Sequence, residues 1–403
     1  MAASPIEIDT PSPPGSALEV FLVFLSLGLT SFGGPIAHLG YFRRAFVERL
    51  GWLEETAFAD IIALCQFLPG PASSQVGYAV GLTRAGFWGG AAAWTGFTLP
   101  SAVLMTVFAY AAPRVSGSLG DAVMHGLTLM SVAVVAQAVL AMARSLCTDR
   151  RTASIAVAAA MIVIAAPVAV GQLAAIAASA LAGFIFCRGA REIARDAGGT
   201  RPATGLLVAG LVLFALLFAP GGVILRDVPA AALFHAFYKS GALVFGGGHV
   251  VLPLLREQMV TPGWVSDRAF LAGYGAAQAM PGPLFTFAAY LGAIARNGGG
   301  LVGAATALVA IFLPGLILVS ALLPHWRRLR HSTTAQAVMR GVNASVVGIL
   351  GMAFYNPVWV NGIRAPMDLG VALAAFALLV AWKAPPLLVV AFCVAGSVGL
   401  ARL

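Results

Sequence analysis

One unusual pattern occurs twice, about half a chain apart, and it limits the fold more than any single residue. The first copy runs through Phe32-Gly33-Gly34, Gly51-Trp52, Gln66-Phe67-Leu68-Pro69-Gly70-Pro71, Tyr78 and Arg84. The second runs through Phe245-Gly246-Gly247, Gly263-Trp264, Gln278-Ala279-Met280-Pro281-Gly282-Pro283, Tyr290 and Arg296. From Gly51 to Arg84 the copies align without a gap. Farther on, Ala122-Val123-Met124-His125-Gly126 matches Ala337-Val338-Met339-Arg340-Gly341. Repeats broken by Gly and Pro mark secondary transporters assembled from two related halves.

Composition puts the chain in a bilayer. Hydrophobic residues make up 60% and charged residues 10%, with mean hydropathy +0.92, whereas soluble domains carry roughly 25% charge. The net charge of +9 is almost wholly arginine, concentrated in short loops between apolar runs. The positive-inside rule explains that placement, and nucleic-acid binding does not. Cys65, Cys147, Cys187 and Cys393 are scattered without metal-ligand spacing, so they read as packing residues, with no metal, disulfide or cofactor expected. There is no GxSxG, HExxH or Walker loop, which argues against a hydrolase or an ATPase in this chain.

The expected fold is an all-α integral membrane protein with two homologous halves. Residues 1–16, rich in Pro and Ser with no basic start, read as an uncleaved disordered tail. A first domain is expected over 17–190, a basic linker with its own helix over 191–229, and a second domain over 230–403. Counting each Pro-Gly-Pro segment (Thr56–Leu82 and Ala269–Ala295) as one broken crossing gives about thirteen spans, and a re-entrant hairpin at either would change the count. Placing the basic loops Arg144–Arg151, Arg188–Arg201 and His325–His331 in the cytoplasm puts the N-terminus inside and the C-terminus outside. The linker helix then leaves the halves inverted. This count places Arg43, Arg44 and Arg49 on the outer side, against the charge rule.

Several residues have the chemistry of a substrate site. Pro69 and Pro71 should break their helix near mid-membrane, which is tolerated only within protein or beside a cavity. The helix restarting at Pro71 offers free N–H groups and the hydroxyls of Ser73 and Ser74, an arrangement that suits an anion. Pro281, Gly282 and Pro283 repeat it. Gly33, Gly34, Gly246 and Gly247 permit close backbone approach, and Gln66 and Gln278 are amides able to donate to an oxyanion. Bases outnumber acids within the spans: Lys239, His125, His249 and Arg340, with His38, Arg84 and Arg296 at helix ends, against Asp60. The expected cargo is therefore a small anion, with Arg340 supplying fixed charge and Asp60 and His125 as candidates for proton coupling. Packing glycines, structural kinks and ion pairing remain the alternatives for these residues.

With these motifs in view, the chain resembles the long, two-domain type of the chromate ion transporter family. The resemblance rests on Ser31-Phe32-Gly33-Gly34-Pro35-Ile36-Ala37-His38, Gly51-Trp52-Leu53, the first Pro-Gly-Pro motif, and Phe245-Gly246-Gly247-Gly248-His249 through Pro283. It implies export of chromate across a bacterial or archaeal inner membrane, driven by the proton gradient or membrane potential and conferring chromate resistance. Sulfate, a dianion of similar shape, is the alternative cargo, and an anion channel the alternative mechanism. The expected partners are the oxyanion and the lipid bilayer, with no nucleic acid; a homodimer is compatible. Val251 or nearby His249 stands where the first half has His38, so a strictly twofold site is not expected.

Overall fold

The computed structural model describes residues 15–114, 117–166, 168–187, 204–219, 228–330 and 332–401, and these are helical with no strand. Nearly all of the expected N-terminal tail, and the basic stretch Arg188–Arg201, lie outside them. The first half contains α1 (Ala17–Thr30), α2 (Gly34–Arg43), α3 (Glu55–Phe67), α4 (Ala72–Ala111), α5 (Gly117–Leu146), α6 (Arg150–Ala165) and α7 (Val168–Phe186). Next comes α8 (Thr204–Phe218). The second half contains α9 (Pro229–Ala242), α10 (Val251–Met259), α11 (Asp267–Ala277), α12 (Phe287–Ile294), α13 (Gly300–Leu322), α14 (Thr333–Ala353), α15 (Pro366–Val380) and α16 (Pro386–Leu400). Side-chain caps start several of them: Ser16 accepts from the Glu19 N–H, Asp149 from Thr152, and Ser266 from Ala269, each satisfying a donor that helix geometry leaves open.

Each Pro-Gly-Pro segment folds back on itself. α3 has 13 residues and rises about 20 Å; α4 then returns, and bends again at Ala85–Gly86. A straight passage would separate Trp52 from Arg84 by about 48 Å, yet the Arg84 guanidinium carbon lies 5.1 Å from the Trp52 ring centroid. In the second half the Arg296 N–H donates to the Trp264 carbonyl at 3.1 Å, and the Tyr290 hydroxyl to the Ala269 carbonyl at 3.0 Å. Both segments are helical hairpins whose two ends lie together, which favours the re-entrant alternative over a single broken crossing. The missing physical term was the tight second turn, which backbone contact between small residues makes possible.

That contact recurs at equivalent places. A Cβ on Gly81 would run into the Gly89 carbonyl, and one on Gly292 into the Gly303 carbonyl. α1 likewise lies against α4, where a Cβ on Gly28 would sit 2.7 Å from the Phe97 carbonyl oxygen, and Gly241 of α9 meets Ile311 of α13 in the same way. α2 also folds back: Phe24 of α1 stacks on Phe46 at 4.9 Å, and Phe46 on Trp52 at 5.1 Å. Arg43 therefore comes to the Arg84 end, paired with Glu48 and Glu55 at 2.5 and 2.8 Å. Placing Arg43, Arg44 and Arg49 opposite Arg84 is overturned, and the conflict with the charge rule goes with it.

Among the described residues four helical stretches are long and apolar enough to cross a bilayer: Ala72–Arg114, which includes the bend, Gly117–Leu146, Gly300–His325 and Thr333–Gly362. The halves interleave around them. α5 packs against α11, α15 and α16 of the second half, and α14 packs against α6 and α7 of the first. At these crossings Gly126 meets Val394, and Gly341 meets Gly183.

Candidate functional site

The two hairpin tips meet the opposite half through a matched pair of hydrogen bonds. The Gly70 N–H donates to the Val244 carbonyl at 2.7 Å, and the Gly282 N–H donates to the Ser31 carbonyl at 2.8 Å. Ser31 follows α1 as Val244 follows α9, so each half ends a helix on the other half's Pro-Gly-Pro turn. Gly70 has φ +126° and Gly282 φ +88°, a region that glycine enters without the Cβ penalty. The α4 arm over 87–111 rises about 37 Å, enough for the ~30 Å hydrocarbon core. Gly282 lies against its middle, at Phe97 and Ser101.

Polar side chains collect at this depth beside the first tip. His38, Ser31, Ser73, Ser74 and Thr98 are all buried, none more than 3% exposed. His38 Nδ1 lies 3.4 Å from Ser73 Oγ, and its ring meets Phe97 edge-on at 5.2 Å. His38 Nε2 and the hydroxyls of Ser31, Ser74 and Thr98 have no hydrogen-bond partner among the described residues. Leaving a buried donor unmade costs about 1–3 kcal/mol, so several together are expected only where something else satisfies them. The start of α4 adds backbone N–H groups with no intrahelical acceptor. The cluster can surround a small acceptor-rich solute with donors.

Sequence reasoning found His38, Pro69, Gly70, Pro71, Ser73 and Ser74 here but missed three residues. Gln66 is exposed; the amide that braces the tip is Gln75, whose Nε2 donates to the Pro69 carbonyl at 2.9 Å and, at 3.4 Å, to Gly315. Ser31 and Thr98 were also missed. Ser31 is a small hydroxyl at the end of α1, and Thr98 is one that lies two residues before Pro100 within α4, which is the signal that was available.

Around the second tip the groups are differently engaged. His249 Nδ1 lies 2.6 Å from the Tyr274 hydroxyl. Asn343 Oδ1 is buried without a partner among the described residues, and it faces Gly246. Gly33, Gly34, Gly246 and Gly247 all take positive φ at the turns that follow α1 and α9.

The description that matches this sequence is that of the chromate transporter, over residues 18–184 and 231–400. The chain belongs to the chromate transporter family. It is 28% identical over 394 residues to a chromate transport protein of Pseudomonas aeruginosa, covering 96% of this chain and 92% of that one. A probable chromate transport protein of Synechococcus elongatus is 27% identical over 396 residues, 96% of each chain. An uncharacterized transporter of Bacillus subtilis is 33% identical over 138 residues, 33% of this chain and 74% of its own. No solved structure matches.

In this chromate transporter family member the charged candidates lie away from the polar cluster. Arg340, expected to face the substrate, is half exposed and pairs with Asp149 at 3.0 Å. Asp149 caps α6; hydrogen bonds from Thr152, and then the charge of Arg340, hold its carboxyl below the usual range. His125, at the equivalent position, pairs with Asp368 of α15 at 2.9 Å. Each base thus takes an acid from the other half, and that cross-pairing explains why neither reaches the tips. Asp60 pairs with Arg330 at 2.6 Å, the ion-pair role among its alternatives. Arg340→Gln should accordingly leave oxyanion affinity within about twofold, since exposed pairs contribute only ~0–1 kcal/mol. Equilibrium binding to the purified variant checks this, and a large loss of affinity would return Arg340 to the site.

Proposed function

We propose that the chain is a secondary transporter that exports chromate across the bacterial inner membrane by alternating access around the closed polar cluster, giving chromate resistance. The observation that carries this reading is the set of unpartnered donors at mid-depth, between two hairpin tips pinned to opposite halves. A dianion there needs donors, and the hydroxyls, the His38 Nε2 and the free N–H groups of α4 supply them. The names of the relatives support chromate as cargo, and sulfate presents the same shape and charge.

Inversion of the halves is part of the proposal. It is supported by α1 beginning beside Arg84, where the Gly15 N–H donates to the Arg84 carbonyl at 3.2 Å, while α9 begins at the other end of α4. There Gly298 touches Pro229, and Gly300 faces the Tyr110 hydroxyl. Arg43, Arg84, Arg144–Arg151 and Arg330 then share one face, which the charge rule makes cytoplasmic. The N-terminus is cytoplasmic in this arrangement and the C-terminus periplasmic. His125, paired to Asp368 at the opposite end, is the titratable group through which a proton gradient would act.

Radiolabelled chromate uptake into everted vesicles, with sulfate competition and separate collapse of the pH gradient and the potential, tests the function. Saturable uptake that collapses with one of those gradients is expected; non-saturating flux would instead mean a channel. Ser73→Ala with Ser74→Ala should weaken apparent affinity tenfold or more at unchanged abundance, because a donor to a charged acceptor contributes roughly 1.5–3 kcal/mol. A fall in expression alone would reduce the motif to a structural kink.

A further inference from the structure

The repeat allows each polar residue of the cluster to be compared with its counterpart in the other half. Aligned on the Pro-Gly-Pro turns and on the paired prolines Pro100 and Pro314, Ser31 corresponds to Val244 and His38 to Val251, while Ser73 corresponds to Phe285 and Thr98 to Phe312. All four counterparts are apolar. Phe285 and Phe312 are 2% and 0% exposed, with ring centroids 5.8 Å apart. In the repeat they hold the positions that Ser73 and Thr98 hold in the first half. Thr286 replaces Ser74, but its hydroxyl is already spent on the Pro283 carbonyl at 2.8 Å.

We propose that the protein holds one tetrahedral oxyanion dianion per chain, at a site formed by Ser31, His38, Ser73, Ser74 and Thr98, and that the equivalent place in the second half is permanently filled by Phe285 and Phe312. This rests on the transport reading above and adds two binding residues, Ser31 and Thr98, and a stoichiometry. The physical case is the same at each position. Ser31 terminates α1 at the turn that accepts from Gly282, so its hydroxyl stands where the two halves meet. Thr98 and Ser73 hold the repeat positions of Phe312 and Phe285, whose rings meet in the second half. Both hydroxyls are buried with their hydrogen bonds unmade, a cost that a bound oxyanion removes.

The site is built of uncharged donors. The ion pairs found among the described residues involve none of these five side chains. A dianion is therefore held by hydroxyls, imidazole and peptide N–H groups. The His249–Tyr274 group is a separate cluster, and its histidine is committed to the tyrosine hydroxyl.

Equilibrium dialysis of the purified full-length protein against radiolabelled chromate, and separately sulfate, tests this. One equivalent bound per chain is expected. Thr98→Val keeps the side-chain shape and removes the hydroxyl, and should weaken binding about tenfold or more; Thr98→Ser should restore it to within about threefold. Ser31→Ala should behave as Thr98→Val does, with thermal unfolding of each variant measured alongside. Two equivalents per chain, or wild-type affinity in both Thr98→Val and Ser31→Ala, would overturn the single-site assignment and leave the transport reading standing. No saturable binding of either anion to the wild type, together with no flux in vesicles, would overturn both. If Thr98→Val unfolds, the Thr98→Ser and Ser31→Ala affinities decide the matter.

Discussion

Gly282→Val should reduce chromate flux about a hundredfold or more while leaving the chain in the membrane. At φ +88° a β-branched residue is strained by roughly 1–2 kcal/mol. Its Cβ would lie 2.8 Å from Ser101 Oγ and 3.1 Å from the Phe97 carbonyl oxygen, so the tip must withdraw. Withdrawal breaks the hydrogen bond to the Ser31 carbonyl and shifts the end of α1 that borders the polar cluster. The damage is confined to one turn, and the long helices should still insert. Flux per unit of membrane-resident protein is the measurement, with Gly40→Ala, where a Cβ meets nothing within 4 Å, as the control. Flux within about threefold of wild type would mean that the tip contact does not matter to transport.

Gly89→Leu is expected to remove most of the folded protein. The two arms of α4 touch backbone to backbone there: a Cβ on Gly89 would run into the Gly81 carbonyl, and no flexible side chain can move aside. Prising the arms apart would cost several kcal/mol, in the range reserved for overpacked rigid contacts. It would also separate Arg84 from Glu19, 3.4 Å away, and disturb the packing of Tyr78 on Gly90. Gly303→Leu should act alike in the second half. Solubilised yield and size-exclusion profile report the outcome, and a monodisperse peak at wild-type yield would show that the hairpin tolerates opening.

The long helices were legible in the sequence because they lie within apolar runs, the short α2 and α10 were not because each mixes polar and apolar residues, and the two breaks were legible because proline cannot continue a helix. The return of each hairpin was not. A broken crossing and a re-entrant pair share one hydropathy profile, and the contacts that separate them, Trp52 with Arg84 and Trp264 with Arg296, join residues far apart in the chain. At the candidate site, His38, Ser73 and Ser74 stood out as polar groups beside a break. Arg340 misled because its match to His125 is real, but both positions lie toward helix ends, where charge is cheap. Partners such as Asp149 and Asp368 come from the other half, and sequence distance hides them. Gln66 misled for a related reason: its repeat position is shared, whereas the amide that braces the tip, Gln75, has Phe287 as its counterpart.

The exchange of helices between halves also bears on genetics. α5 packs against α11, α15 and α16, and a Cβ on Gly126 would meet the backbone of Cys393 and Val394, so a substitution that enlarges Gly126 should be compensated by changes that let α16 shift rather than by changes in the first half. Second-site suppressors should accordingly cluster in the opposite half. A chain severed between Cys187 and Thr204 should regain activity only when both pieces are made in the same cell, since each piece leaves open a surface shaped to the other.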